Sequence, residues 1–189
     1  DGRPSPSSHF YALPDRVLLQ DIERIEVLRG SNSAAYGSNA FLGAVNITTR
    51  HIASEHGSEV RFTAGTPGSR GLSARHTAGT GLHNLRITAR HEENDGFDGL
   101  RDGSRTNVLS VRSDLQLNTH DEVTLSGNIG ESRIEEGYAG SIFNSAKERE
   151  ARKTGHSLLL RWRHATSAED EWLLSASWER QTTEDAWQL

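Results

Sequence analysis

The chain of 189 residues contains no cysteine and no methionine. Without cysteine, the cellular compartment cannot be inferred from disulfides. Without methionine, residue 1 is not expected to be a translation start. Because no charged-then-apolar leader is present either, we expect that a signal peptide was removed or that the N-terminus is missing. No apolar run approaches the roughly 18 residues of a membrane helix, which excludes a helical span.

Apolar residues are also scarce. Hydrophobic residues make up 33% of the chain, and mean hydropathy is −0.66. These values are typical of a polar soluble protein, but they also fit a transmembrane β-barrel, in which only alternate side chains contact lipid. The net charge is −5, and lysine and arginine are scattered along the chain. We therefore predict no nucleic-acid partner.

From Ser58 onward, apolar and polar residues alternate with a period of two, which predicts β-strands. Seven such segments occur, each about the 9–11 residues that a tilted membrane strand needs. Their apolar faces begin at Val60, Leu72, Leu85, Leu109, Val123, Leu158 and Trp172.

The connections between these strands separate a membrane barrel from a soluble β-sandwich. Tight turns are predicted near residues 79–81, 118–120 and 167–169, and longer connections at 66–71, 92–105 and 131–153. Short turns at one end and longer loops at the other are typical of outer-membrane barrels. Trp172 and Trp178, near opposite ends of one apolar face, fit interfacial aromatic girdles. Their alternative role is in the core of a sandwich.

Arginines on the predicted strands favour the barrel. All of them fall on the polar face, where a hydrated lumen would accept them, whereas the bilayer midplane would cost about 2–4 kcal/mol for each. The predicted lumen-facing residues are Arg61, Arg75, Arg86, Arg90, Arg112, Arg161 and Arg163.

Residues 22–50, IERIEVLRGSNSAAYGSNAFLGAVNITTR, form the most specific motif. Two short strands, Ile25–Leu28 and Ala44–Thr49, flank a turn rich in Gly, Ser and Asn. The pattern I-E-R-I-E-V-L-R-G, then Y-G, then Gly before V-N-I resembles the C-terminal half of the plug domain of TonB-dependent outer-membrane receptors. The residues that carry this resemblance are Glu23, Glu26, Arg29, Gly30, Tyr36, Gly37, Gly43 and Asn46. Ser31 departs from the proline common in that family.

The resemblance implies an all-β fold in the bacterial outer membrane. Residues 1–52 would be the C-terminal part of a plug domain. Residues 53–189 would be the N-terminal portion of an antiparallel transmembrane β-barrel, contributing about seven meander strands of about 22. Seven strands cannot close a barrel, so we expect an incomplete one.

The resemblance also implies a function. Such a receptor imports a scarce large solute into the periplasm, and we prefer an iron–siderophore or similar metal chelate. Its partners would be outer-membrane lipid and the TonB complex of the inner membrane, the latter through an N-terminal box missing from this chain. The alternatives are a passive porin-like or adhesive barrel and a soluble β-sandwich binding module. We predict no enzyme activity and no cofactor, since the chain has no H-x-x-x-H pair and no G-x-S-x-G elbow.

The family precedent for Arg29 is an ionic lock with glutamates of the barrel wall, and its alternative role is to end a strand at a solvated surface. Glu23 and Glu26 would face the wall or solvent. Ligand-contact candidates are Ser31, Asn32, Ser33, Phe97, Tyr138 and Phe143, although a single loop aromatic often only packs locally. Asp95, Asp98 and Asp102 are weak calcium candidates, since aspartates in a turn are usually turn formers. Ser145–Lys153 is predicted to be a short charged helix.

Overall fold

The computed structural model describes residues 18–31, 42–66, 68–138, 140, 147–167 and 169–185. The chain divides into two compact units, Asp1–His51 and Ile52–Leu189. The assignment of residues 1–52 to a plug and 53–189 to a barrel stays a prediction. Within the described ranges, no helix is long and apolar enough to cross a membrane.

The first unit contains an antiparallel hairpin of β1 (Ile22–Arg29) and β2 (Gly43–Thr49). A 3₁₀ turn, Leu19–Asp21, precedes β1, and Leu18 beside it is almost fully buried. The Arg50 amide donates to the Asp21 carbonyl, and the Arg50 Nε donates to the Ile22 carbonyl. These two hydrogen bonds close the open end of the hairpin.

The second unit contains a seven-stranded antiparallel sheet in which each strand pairs with the next in sequence. A 3₁₀ turn at Ile52–Ser54 leads into it. The predicted all-β meander is confirmed. Its strands are β3 (Gly57–Gly65), β4 (Ser69–Gly79), β5 (His83–Asn94), β6 (Ser104–Gln116), β7 (Asp121–Glu136), β8 (Arg149–Ala165) and β9 (Glu171–Glu184).

The two ends of the sheet carry different connections. Residues 80–82, 117–120 and 166–170 form short turns at one end, which we call the turn end. Residues 66–68, 95–103 and 137–148 connect strands at the other, which we call the loop end. The predicted connections 92–105 and 131–153 were too long, because β5, β7 and β8 continue into them. The predicted helix is wrong over residues 149–153, which belong to β8.

Cross-strand partners lie on the same face of a sheet, so the register divides the side chains into two sets. One set, the apolar face, is open, with Phe62 78%, Trp172 71% and Leu158 58% exposed. The opposite set, the polar face, is buried in the middle strands of the sheet, where Thr88 and Arg86 are only 1% and 4% exposed. A soluble sandwich buries its apolar face, whereas a membrane barrel turns that face to lipid. This sheet has the distribution of a barrel.

Candidate functional site

The plug-like motif brings Glu26 and Asn46 together across the hairpin. They are direct cross-strand partners, and the Asn46 side-chain amide donates to the Glu26 carboxylate at 2.8 Å. Arg24 Nε lies 3.0 Å from the other oxygen of the same carboxylate. The Glu26 carboxylate therefore binds side chains of both strands of its own hairpin, Arg24 of β1 and Asn46 of β2.

Gly43 is required by the geometry of this hairpin. Its φ is +156°, and a Cβ built there would lie 2.5 Å from the Leu28 carbonyl oxygen. Gly30, at the other end of the connection, has φ +98°, and a Cβ there would meet no atom within 4 Å. The Gly30 amide donates to the Leu42 carbonyl. The two glycines thus serve different needs, close approach at Gly43 and backbone conformation at Gly30.

Arg29 and Glu23 remain available for contacts outside the hairpin. Both are exposed, and neither has an ion-pair partner among the described residues. Ser31 is also exposed. The remaining motif and turn candidates, Asn32, Ser33, Tyr36 and Gly37, lie outside the described residues.

All seven predicted lumen-facing arginines lie on the polar face. The register connects them through cross-strand rows, for example Arg61 with Ser73, Ser73 with Arg90, and Arg86 with Arg112. Farther along the sheet, Thr124 is the partner of Arg161, and Glu122 is the partner of Arg163. The members of this set are Arg61, Arg75, Arg86, Arg90, Arg112, Arg161 and Arg163.

Several of these arginines form ion pairs within the polar face. Arg75 lies between Glu55, at 3.2 Å, and Glu59, at 2.9 Å. Arg112 binds Asp114 with two parallel hydrogen bonds of 3.0 and 3.1 Å. Such bidentate pairs hold a guanidinium in a fixed orientation. The face is thus an ordered, charged wall of the kind that lines a hydrated passage.

Arg161 places a buried polar atom on this wall. Its Nε is buried and has no hydrogen-bond partner among the described residues. A buried N–H without a partner is costly unless water or another group reaches it. The position suits a hydrated surface.

The loop end carries exposed aromatic side chains. Phe97, in the connection between β5 and β6, is 62% exposed, and Tyr138, just after β7, is 65% exposed. Phe143 lies outside the described residues. Both side chains are accessible to solvent.

The aspartates of the β5–β6 connection serve the turn. Asp95 pairs with Arg70 at 3.2 Å, and the Asp102 carboxylate accepts the Phe97 amide at 2.8 Å. The carboxylates of Asp95, Asp98 and Asp102 do not converge within the spacing of a metal site. The turn-former role therefore accounts for Asp95 and Asp102.

The sequence analysis missed a second set of arginines, on the apolar face near the loop end. Arg105, Arg133 and Arg152 lie in one row across β6, β7 and β8. They were assigned to loops because the apolar alternation stops before them. The signal that could have found them is the charge alternation of Glu131, Arg133 and Glu135, which continues the period of two.

Comparisons with known proteins agree with this architecture. Residues 1–44 match the family model of the TonB-dependent receptor plug domain. A vitamin B12 transporter of Photobacterium profundum is 30% identical over an alignment of 148 residues that covers 69% of this chain and 24% of the relative. A vitamin B12 transporter of Vibrio vulnificus is 36% identical over 80 residues, 41% of this chain and 13% of the relative. The matched region spans a quarter or less of these relatives.

Proposed function

We propose that this chain, which belongs to the TonB-dependent outer-membrane receptors, takes part in the active import of a cobalamin-type corrinoid into the periplasm. The observation that carries the proposal is the 30% identity to a vitamin B12 transporter over 148 residues. That alignment is longer than the plug match at residues 1–44. It therefore takes in part of the sheet. A corrinoid replaces the iron–siderophore that we preferred from sequence, since neither relative is a siderophore receptor.

In this proposal the polar face forms part of the wall of a hydrated lumen, and the hairpin of β1 and β2 is part of a plug domain. Arg29, exposed and without an ion-pair partner among the described residues, is the residue that would lock the plug to glutamates of the wall. Glu26, already bound to Asn46 and Arg24, would instead stabilise the hairpin. Energy from the TonB complex would release the lock.

The ligand would be recognised at the plug turn and at the loop end. A corrinoid presents a broad, partly apolar ring with amide side chains. Phe97 and Tyr138 offer exposed aromatic faces for the ring, and Ser31 offers a hydroxyl for the amides. Asn32, Ser33 and Phe143 are proposed contacts on the same grounds of residue type and position in the sequence.

Uptake measurements test the proposal directly. The receptor that carries this chain would be produced in a bacterium lacking its own cobalamin receptor, with and without TonB, and given labelled cyanocobalamin or a labelled ferric siderophore. We expect cyanocobalamin uptake only with TonB. Uptake of the siderophore but not of cyanocobalamin would contradict the proposed substrate. Equal cyanocobalamin uptake with and without TonB would favour a passive porin-like barrel.

Substitutions at the loop end refine the test. Phe97→Ala and Tyr138→Ala are each expected to weaken cyanocobalamin binding several-fold, because each removes an exposed aromatic face. Leu82→Ala is the matched control, since Leu82 is 66% exposed but lies in a connection at the turn end. Equal binding by all three variants would remove the aromatics from the proposed site.

A further inference from the structure

The chain reaches the first strand of the sheet through a short segment on the polar face. Residues 52–56, which we call the clasp, precede β3 and belong to the second unit. The clasp begins with the 3₁₀ turn Ile52–Ser54, and the Glu55 amide donates to the Ile52 carbonyl at 3.3 Å. The Glu55 side chain pairs with Arg75, a polar-face residue of β4, and this pair places the clasp on that face.

Two contacts fasten the clasp to strands beyond β3. Ile52 is 0% exposed, and the turn that begins with it contacts β5. The Glu55 carboxylate lies 3.2 Å from a guanidinium nitrogen of Arg75 in β4, and these side chains are only 24% and 14% exposed. Lifting the clasp would expose an aliphatic side chain to water and separate a largely buried ion pair, and both changes are unfavourable. The clasp is therefore held by β4 and β5, although β3 is next to it in sequence.

The charges around the clasp are matched by one another. Arg75 also binds Glu59, its direct partner on β3, at 2.9 Å, and Glu59 binds Arg61 at 2.7 Å. Acidic and basic groups thus alternate from Glu55 through Arg75 and Glu59 to Arg61. Because these four charges are paired among themselves, the arrangement favours a fixed structural contact over a binding site for an ion.

The position of the clasp in the sequence gives this contact a mechanical consequence. Within the described sheet β3 pairs with β4 alone, and the first pair of the two strands is Gly57 with Thr77. Tension applied at that end of an antiparallel pair would open its hydrogen bonds one after another. Since residues 52–56 precede Gly57, a pull that comes along the chain from the first unit loads the clasp before it loads this pair.

We propose that the clasp is a mechanical stop, which prevents a TonB-driven displacement of the first unit from reaching β3. The load would be shared by Arg75 of β4 and by the part of β5 that the turn contacts, so the pairing of β3 with β4 would stay closed. The first unit would change its conformation during transport while the sheet stays intact. This inference rests on the proposed TonB-dependent import and is independent of the identity of the solute.

Buried thiols can report on the two units separately. Leu18 of the first unit and Ile52 of the clasp are 2% and 0% exposed, and the chain contains no cysteine of its own. A cysteine buried at either position behaves as a small apolar residue and reacts only when it becomes accessible. Leu18→Cys and Ile52→Cys would each be introduced into the receptor that carries this chain, in a cysteine-free background. Labelling by N-ethylmaleimide would be measured in cells with and without TonB.

The two thiols should respond differently to TonB. We expect TonB to accelerate the labelling of Leu18→Cys about tenfold or more, and to change that of Ile52→Cys by less than about twofold, because reactivity follows exposure of the thiol. Equal acceleration at both positions would overturn the mechanical stop and leave TonB-driven motion in place. No acceleration at Leu18→Cys would contradict TonB-driven motion of the first unit, and the inference would fall with that premise.

Substitutions at the ion pair test what holds the clasp. Glu55→Gln removes the pair with Arg75 and leaves Arg75 bound to Glu59. In the Ile52→Cys background it should allow TonB to accelerate labelling about tenfold, since the thiol is then exposed under load. Arg61→Gln is the matched control, because Arg61 pairs with Glu59 on the same face and not with Glu55. If Glu55→Gln labels no faster than Arg61→Gln, the ion pair does not hold the clasp.

Hydrogen exchange in the absence of TonB separates a local effect from a general loss of structure. Glu55→Gln should accelerate exchange of the amide at residue 55, which donates to the Ile52 carbonyl. The amides of β6 and β7 should exchange as in the wild type, because local opening of a turn does not require the sheet to open. An equal increase in β6 and β7 would mean that Glu55 stabilises the whole sheet, and would overturn a local stop.

Discussion

The indole nitrogen of Trp162 donates a hydrogen bond to the Asp121 carboxylate across 2.9 Å. The same carboxylate oxygen lies 2.8 Å from Nδ1 of His164, which is the cross-strand partner of Trp172. Two tryptophans of the apolar face are thus gathered at the turn end. In outer-membrane barrels an aromatic girdle lies at the periplasmic interface of the outer membrane, where the short turns are, and a buried indole N–H usually has a polar partner.

Replacing Trp162 by Phe should destabilise the folded barrel by about 0.5–1.5 kcal/mol, because it removes the hydrogen bond and keeps an aromatic ring. Urea unfolding of the receptor in lipid vesicles measures this. Trp178→Phe is the control, since the Trp178 indole nitrogen has no hydrogen-bond partner within the described residues. Equal losses in the two variants would assign the effect to ring size.

The orientation of the sheet predicts unequal losses of stability at two adjacent residues of β9. Ala176 lies on the apolar face and Ser177 on the polar face, and both are exposed. Ala176→Arg should cost about 2–4 kcal/mol, since it places a charge in lipid. Ser177→Arg should cost much less. Urea unfolding in lipid vesicles measures both losses of stability. A larger loss for Ser177→Arg would mean that the polar face of the sheet, and not the apolar face, contacts lipid.

The hairpin of β1 and β2 depends on the Asn46 amide. Asn46→Asp would set a second carboxylate against Glu26, so the two would repel and β2 would lose protection from hydrogen exchange. Combining it with Glu26→Gln restores one donor and should recover most of the protection. If the double variant exchanges as fast as Asn46→Asp alone, the contact does not stabilise the hairpin.

Gly43 and Gly30 separate two kinds of constraint. An alanine at either position must adopt a positive φ, but only at Gly43 would its Cβ meet the Leu28 carbonyl. Gly43→Ala should therefore increase hydrogen exchange across β1 and β2 more than Gly30→Ala. Similar exchange in the two variants would mean that backbone conformation alone sets the cost.

The alternation of apolar residues was sufficient to predict the seven strands and the two faces of the sheet. The seven polar-face arginines could be placed as well, because a strict period of two fixes which side chains point together. The family motif likewise identified the pairing segments of the hairpin. These features depend on local pattern, which a sequence displays directly.

The parts of β5, β7 and β8 nearest the loop end could not be predicted in the same way. Toward the loop end the residues of the apolar face change from apolar to charged. Arg133 and Arg152 therefore resemble loop residues in the sequence, although the strand pairing continues through them. The row of Arg105, Arg133 and Arg152 also depends on which residues face each other across strands. Cross-strand register is set by the whole sheet, and local sequence does not reveal it.

The ion pairs of Arg149 have a consequence for the connection that follows β7. Arg149, whose side chain is 12% exposed, binds Glu136 at 2.6 Å and Asp185 at 2.8 Å, and so ties together the loop-end tips of β7, β8 and β9. Tyr138 follows Glu136 by two residues. A loop whose base is already fixed has less conformational entropy to lose when it closes on a ligand. The ion pairs of Arg149 thus pre-organise the base of the connection between β7 and β8 in the absence of ligand.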